Sequence, residues 1–158
     1  MHPNAQLIER FYAAFRQKDY ATMQACYHPE VRFSDPVFPK LKGIEAGLMW
    51  QMLLTRSKDL AITHRDIVAN DYNGSCTWEA TYSFSNRQVH NLIKAEFTFK
   101  NGLIFRHDDC FGFYGWASQA LGLAGKILGW TRFLEQKVQT QAANNLRQFI
   151  EKNQTYTQ

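Results

Sequence analysis

The chain has 158 residues, 45% of them hydrophobic and 20% charged, with a net charge of +4. That length suits one domain, and the composition excludes a disordered, collagen-like or low-complexity chain. Of the net charge, +3 falls in residues 116–158 without a basic run, an Arg-rich helix or zinc-finger spacing, so no nucleic-acid partner is expected.

Aromatic residues reach 15%, with 12 Phe, 7 Tyr and 4 Trp. Rings in that number either thicken a core or line an apolar cavity. Cys26, Cys76 and Cys110 are widely spaced and odd in number, which suits free thiols in a reducing compartment. The N-terminus lacks the basic-then-apolar order of a signal peptide, and no stretch is long and apolar enough for a membrane span. A cytoplasmic location is the expectation.

Asn4 is placed to cap a first helix carrying Leu7, Ile8, Phe11, Tyr12 and Phe15 on one stripe. Asp19 caps a short second helix through Met23 and Cys26, which His28-Pro29 ends. Val31–Phe33 reads as a strand running into Ser34-Asp35-Pro36. After Gly43, the residues Ile44, Leu48, Met49, Met52 and Leu53 predict a third helix with Trp50 on its flank.

From Leu60 the apolar period becomes two. Leu60–Ala69 is a strand, and Asn73-Gly74 is a hairpin signal. In the next strand Cys76, Trp78, Ala80, Tyr82 and Phe84 alternate with polar residues, and Val89–Phe99 and Leu103–Phe113 follow. A three-residue loop at Lys100-Asn101-Gly102 would pair Phe99 with Leu103 and Ala95 with His107, with Phe84 opposite Val89 in the preceding hairpin. Residues from Trp116 to about Lys152 are helical in pattern, beginning with a glycine-rich stretch, Leu121–Trp130.

The last strand's face reads Leu103, Phe105, His107, Asp109, Phe111, Phe113. Residues two apart on a strand share a face about 6–7 Å apart, so His107 and Asp109 point into one space. Buried, they need partners, water or a ligand. The plainer reading is a satisfied core His–Asp pair. Asp35, among Phe33, Val37 and Phe38, would have a raised pKa and could act as a base; the plainer reading is a turn-capping Asp before proline. No metal or other cofactor is expected, because no His/Asp/Glu cluster has convincing ligand spacing.

The order helix, helix, strand, helix, four long strands resembles the NTF2-like superfamily, in its ketosteroid-isomerase and SnoaL-like group, across about residues 4–113. The segments that carry the resemblance are Glu9–Asp19 (ERFYAAFRQKD) and Ala25–Val37 (ACYHPEVRFSDPV), followed by Gly43 and its helix. The resemblance implies an α+β fold, a cone-shaped curved mixed or antiparallel sheet wrapped by N-terminal helices around a pocket, commonly in a homodimer. Residues 1–115 would form the cone. Residues 116–158 would be a helical extension packing on the same domain or on a dimer partner.

By position, Asp35 matches the isomerase's proton-shuttling aspartate. The oxyanion-hole tyrosine and protonated aspartic acid of that enzyme fall at Phe11 and Ala95, with Tyr12 one residue off. The expectation is that His107, opposite Ala95, supplies the donor while Asp109 orients its ring. Phe11, Tyr12, Trp50, Trp78, Tyr82, Ala95 and Phe111 would then surround the ligand.

The implied function is isomerase- or lyase-type proton transfer on an apolar carbonyl, steroid or polyketide-like ligand. The alternatives are a non-catalytic binder of an apolar metabolite and a pocketless dimerisation module. Epoxide hydrolysis, which uses an acid–Arg–acid set, is weaker because Lys94 and Glu96 fall on the wrong face. In the extension, Phe133, Leu134, Val138, Ala142, Leu146, Phe149 and Ile150 recur at amphipathic spacing, and the glycine-rich stretch could close the pocket mouth. A membrane-surface role for this segment is the lesser reading, since Lys126, Arg132 and Lys137 are sparse.

Overall fold

The computed structural model describes residues 1–155. Helix α1 spans Pro3–Arg16 and α2 Tyr20–Ala25; strands β1 (Tyr27–Ser34) and β2 (Leu41–Lys42) lead to α3 (Ile44–Arg56). Strands β3 (Ala61–Ala69), β4 (Asn73–Phe84), β5 (Arg87–Lys100) and β6 (Leu103–Cys110) follow, then helices α4 (Phe113–Ala120), α5 (Leu123–Leu128) and α6 (Arg132–Thr155). The strands form one curved, open sheet in the order β2-β1-β6-β5-β4-β3. Only β1 and β6 run parallel. The fold is α+β and NTF2-like.

Helix α1 buries Ala5, Ile8, Phe11, Tyr12, Ala14 and Phe15, the stripe its apolar spacing predicts. Burying rings such as Phe11 and Phe15 stabilises the fold by about 1.5–3 kcal/mol each. The cap differs from expectation: Pro3 occupies the first turn and His2 Nδ1 accepts the Asn4 N–H at 3.1 Å. Asp19 does cap α2, accepting the Thr22 N–H at 3.1 Å.

Three turns depart from the expected chemistry. Asn73-Gly74 begins β4, while the turn lies at Asn70–Asn73, where Asn70 Oδ1 accepts two backbone N–H groups. Gly74 serves close packing instead, since a Cβ there would meet Ile8 Cδ1 at 2.8 Å and Phe99 Cζ at 2.9 Å. The β4–β5 hairpin closes through Ser85 and Asn86, both at positive φ, pairing Phe84 with Arg87 and Tyr82 with Val89. The β5–β6 hairpin is a two-residue turn with Asn101 at φ 54° and Gly102 at φ 73°.

A two-residue turn should have thrown the apolar faces out of register. The chain corrects this with an irregularity after Phe99↔Ile104, where Thr98 pairs with Arg106 and Phe105 is the extra residue. Ile104, His107 and Asp109 therefore face inward, and Ala95 sits opposite Asp109, not His107.

The C-terminal helices are tied to the sheet. β6 pairs with β5 only from Lys94 onward, so the Arg87–Ile93 edge of β5 has no strand beside it. Gln119 of α4 covers part of that edge: its Oε1 accepts the His90 N–H at 2.8 Å and its Nε2 donates to the His90 carbonyl at 3.1 Å. Helix α6 buries Leu146 in the main core, with Ala142, Phe149 and Ile150 packed against it.

Candidate active site

A cavity of about 370 Å³ opens between the inner sheet face, α3 and the C-terminal helices. That volume lies in the range of small-molecule sites. Its lining brings together Asp35, Trp50, Trp78 and Asp109 with Tyr82 and Phe111, and with Trp116, Leu121 and Val138 from the C-terminal segment. Of the residues predicted to surround a ligand, Trp50, Trp78, Tyr82 and Phe111 line this space. Phe11, Tyr12 and Ala95 lie behind it in the packed core, and so does His107.

Asp35 is set by the end of β1. Its Oδ1 accepts the N–H groups of Val37 (2.7 Å) and Phe38 (2.5 Å), and its own N–H donates to the Phe38 carbonyl at 2.9 Å. The turn-capping and cavity-lining readings are thus both true of one carboxyl. Oδ1 holds the turn, and Oδ2 takes no part in it. Burial pushes the Asp35 carboxyl up to about 7; the nearby Asp109 charge adds to the rise, while the Phe38 and Val37 N–H groups oppose it. From α6, Gln139 Nε2 donates to the Pro36 carbonyl at 3.0 Å and fixes the loop that carries Asp35.

Behind that lining runs a buried hydrogen-bond chain. Trp50 Nε1 donates to the Tyr27 hydroxyl (2.8 Å), the hydroxyl meets His107 Nδ1 (2.7 Å), and His107 Nε2 meets Asp109 Oδ1 (2.9 Å). Trp78 Nε1 donates to the same Asp109 oxygen at 3.3 Å. An indole N–H can only donate, so Trp50 gives its proton to the Tyr27 oxygen. The tautomer that pairs every donor with an acceptor has the Tyr27 hydroxyl donating to Nδ1 and His107 Nε2–H donating to Asp109. This satisfies every group in the chain except Asp109 Oδ2, which is buried without a partner.

The structure places His107 behind the cavity and Asp109 at its lining. Both nitrogens of His107 are engaged and its ring is fully enclosed, stacked near Trp50 and packed on Phe97. It cannot present a donor to a cavity ligand without breaking that chain. Asp109 is the member that borders the cavity, and His107 orients it.

Sequence reasoning missed two residues. Tyr27 was hidden because His28-Pro29 reads as a break, yet β1 begins before the proline and tolerates it at an irregularity in its pairing with β6. Asn91, opposite Ala80 on β5, lines the cavity with its side-chain amide in no hydrogen bond. Its position within the alternation of β5 was the available signal. Among the described residues no three His, Cys, Asp or Glu side chains converge as metal ligands.

The family model described as a SnoaL-like domain matches residues 8–107. The chain belongs to the SnoaL-like family. Its fold is shared by several solved structures of low identity. A Mycobacterium tuberculosis LEH-like epoxide hydrolase has a TM-score of 0.65 at 16% identity, over 80% of this chain and 96% of that one. A candidate polyketide cyclase from Xanthomonas campestris pv. campestris has 0.62 at 20%, over 75% and 96%. A candidate ketosteroid isomerase from Kribbella flavida has 0.57 at 13%, over 69% and 77%. Curated proteins give no match. The SnoaL-like sheet here places Lys94 and Glu96 on its exposed face, and no arginine lines the cavity among the described residues.

Proposed function

We propose that this SnoaL-like protein binds an apolar, carbonyl-bearing small molecule in the cavity and transfers a proton through Asp35. The observation that carries the reading is a carboxyl held near pKa 7 in the wall of an apolar pocket, with one oxygen pinned and the other uncommitted. A base poised near neutral pH combines availability with driving force. Asp35 Oδ2 would take the proton from the carbon next to the carbonyl, leaving an enolate, and would return it to a different carbon. The Asn91 amide is the neutral donor for the developing enolate oxygen. The names of the similar structures, a polyketide cyclase and a ketosteroid isomerase among them, support a keto ligand.

The test does not require knowing the product. Cyclic ketones and polycyclic 1,3-dicarbonyls that raise the melting temperature are incubated in D2O, and exchange of the proton next to the carbonyl is followed by NMR. Exchange should be catalysed, should rise through about pH 7 as Asp35 loses its proton, and should vanish in Asp35→Asn while the thermal shift persists. Exchange unchanged in that variant removes Asp35 from the role.

A second reading, a binding protein without turnover, is favoured by the turn-capping bonds of Asp35, which give its carboxyl a structural purpose. It predicts thermal shifts with no exchange.

A further inference from the structure

The α4–α6 corner is amphipathic in the reverse of the usual sense. In residues 121–130 the buried positions are Gly122, Gly125 and Gly129, while Leu123, Ile127, Leu128 and Trp130 point outward. The cause is close helix contact: a Cβ on Gly125 would lie 1.8 Å from the Ala117 carbonyl oxygen, so α5 presses its backbone onto α4. With the glycine face inside, every large apolar side chain of α5 is left outside. Phe133, in the first turn of α6, is exposed too, and Leu123, Trp130 and Phe133 are 71%, 77% and 71% exposed.

Exposed apolar residues elsewhere lie apart in sequence, at Met1, Ile44, Leu53, Val68, Tyr72, Phe84 and Leu92, and singly such residues mean little. Here five lie between Leu123 and Phe133, and Tyr114, itself half exposed, bonds to the Lys126 carbonyl beside them. Lys126 and Arg132 are interleaved with these side chains and Lys137 follows one turn on, all three exposed. None is ion-paired among the described residues, and Glu135 is the sole acidic residue of the segment.

We propose that this corner docks on an anionic lipid surface. Trp130, Phe133 and Ile127 enter the interfacial layer, and Lys126, Arg132 and Lys137 meet the headgroups. Trp is favoured at that depth, and a basic rim on an apolar patch is the charge complement of an acidic leaflet. The corner connects Leu121 to Val138, both of which line the cavity, so docking sets the cavity wall against the bilayer, the phase in which an apolar ligand concentrates. That loading route rests on the pocket reading above; the docking does not.

Trp130 supplies its own probe, because Trp50, Trp78 and Trp116 are 3%, 7% and 8% exposed. The full chain is mixed with vesicles of phosphatidylcholine alone and of phosphatidylcholine with phosphatidylglycerol. Co-sedimentation with the anionic vesicles should be on the order of tenfold to a hundredfold stronger, should weaken with salt, and should blue-shift the tryptophan emission. Ile127→Ser with Phe133→Ser should abolish binding, and Lys126→Glu with Arg132→Glu should erase the preference for anionic lipid.

No co-sedimentation overturns the proposal, as does binding that survives both variants. A dimer in sedimentation analysis that already shields Trp130 from acrylamide overturns it as well, assigning the patch to a second copy. Ile127→Ser with Phe133→Ser should retain proton exchange on a water-soluble ketone, so failure of docking and failure of the pocket reading are separate results.

Discussion

Tyr27 and His107, 80 residues apart in sequence, meet through a buried hydrogen bond of 2.7 Å. The same hydroxyl accepts from Trp50 Nε1 at 2.8 Å, so one oxygen serves a donor and an acceptor that are 3% and 0% exposed. Tyr27→Phe removes that oxygen and leaves both groups without a partner. Each unsatisfied buried group costs about 1–3 kcal/mol, so the melting temperature should fall by roughly 5–15 °C. In the unaltered protein, nitrogen NMR of the imidazole should show the proton on Nε2, and the Nδ1 resonance should move most in Tyr27→Phe. A proton found on Nδ1 would mean that the Tyr27 oxygen accepts from both rings and that its own proton goes elsewhere.

Asp35 has a folded-state pKa near 7 against an ordinary value of 3.8. Below about pH 4 both states are protonated and the shift has no effect on stability. Between there and about pH 7 the folded state holds the proton while the unfolded chain releases it, so stability falls as pH rises. Above pH 7 the full cost of an ionised buried carboxyl is present. Asp35→Asn keeps an Oδ1 for the Val37 and Phe38 N–H groups and never ionises. Its melting temperature should match that of the unaltered protein near pH 4 and exceed it by several degrees at pH 8. A constant difference across that range would show that Asp35 is ionised at little cost.

The elements were legible because their periods are strong: α1 buries the stripe its spacing predicts, and Cys76, Trp78 and Ala80 all face the core as their alternation requires. Pairing was not legible. The three-residue loop at Lys100-Asn101-Gly102 follows only for unbroken strands, and an extra residue at Phe105 lets a two-residue turn coexist with His107 and Asp109 facing inward. The shorter turn and that extra residue together put Asp109, and not His107, opposite Ala95. Asp35 was legible as a carboxyl among apolar residues. Tyr27 was not, because a proline two residues on hid the strand that carries it.

Burial pushes the Cys76 thiol up to about 12 and the Cys26 thiol up to about 11, whereas Cys110 is exposed. Thiolate is the reactive form, so two of the three side chains are protected by both access and ionisation. A thiol reagent at pH 8 should modify one cysteine promptly, and peptide mapping should place it at Cys110. The other two should react only at the rate of global opening and should become reactive together in denaturant. Prompt loss of Cys76 would mean that β4 opens locally near Trp78.

Asp109 acts on Asp35 through its charge, which helps hold the Asp35 carboxyl up. Asp109→Asn removes that charge while Oδ1 still accepts from His107 and Trp78. The new amide Nδ2 takes the place of a buried oxygen that has no partner, costing about 1–3 kcal/mol. Burial, the largest cause of the raised value, remains. The Asp35 pKa should therefore drop below 7 and stay above 3.8, as a carbon NMR titration of its carboxyl would show. The pH at which proton exchange reaches half its maximum should move to the acid side by the same interval. If the titration moves and the exchange profile does not, a group other than Asp35 limits the reaction; if both hold still, the two carboxyls are too well screened to act together.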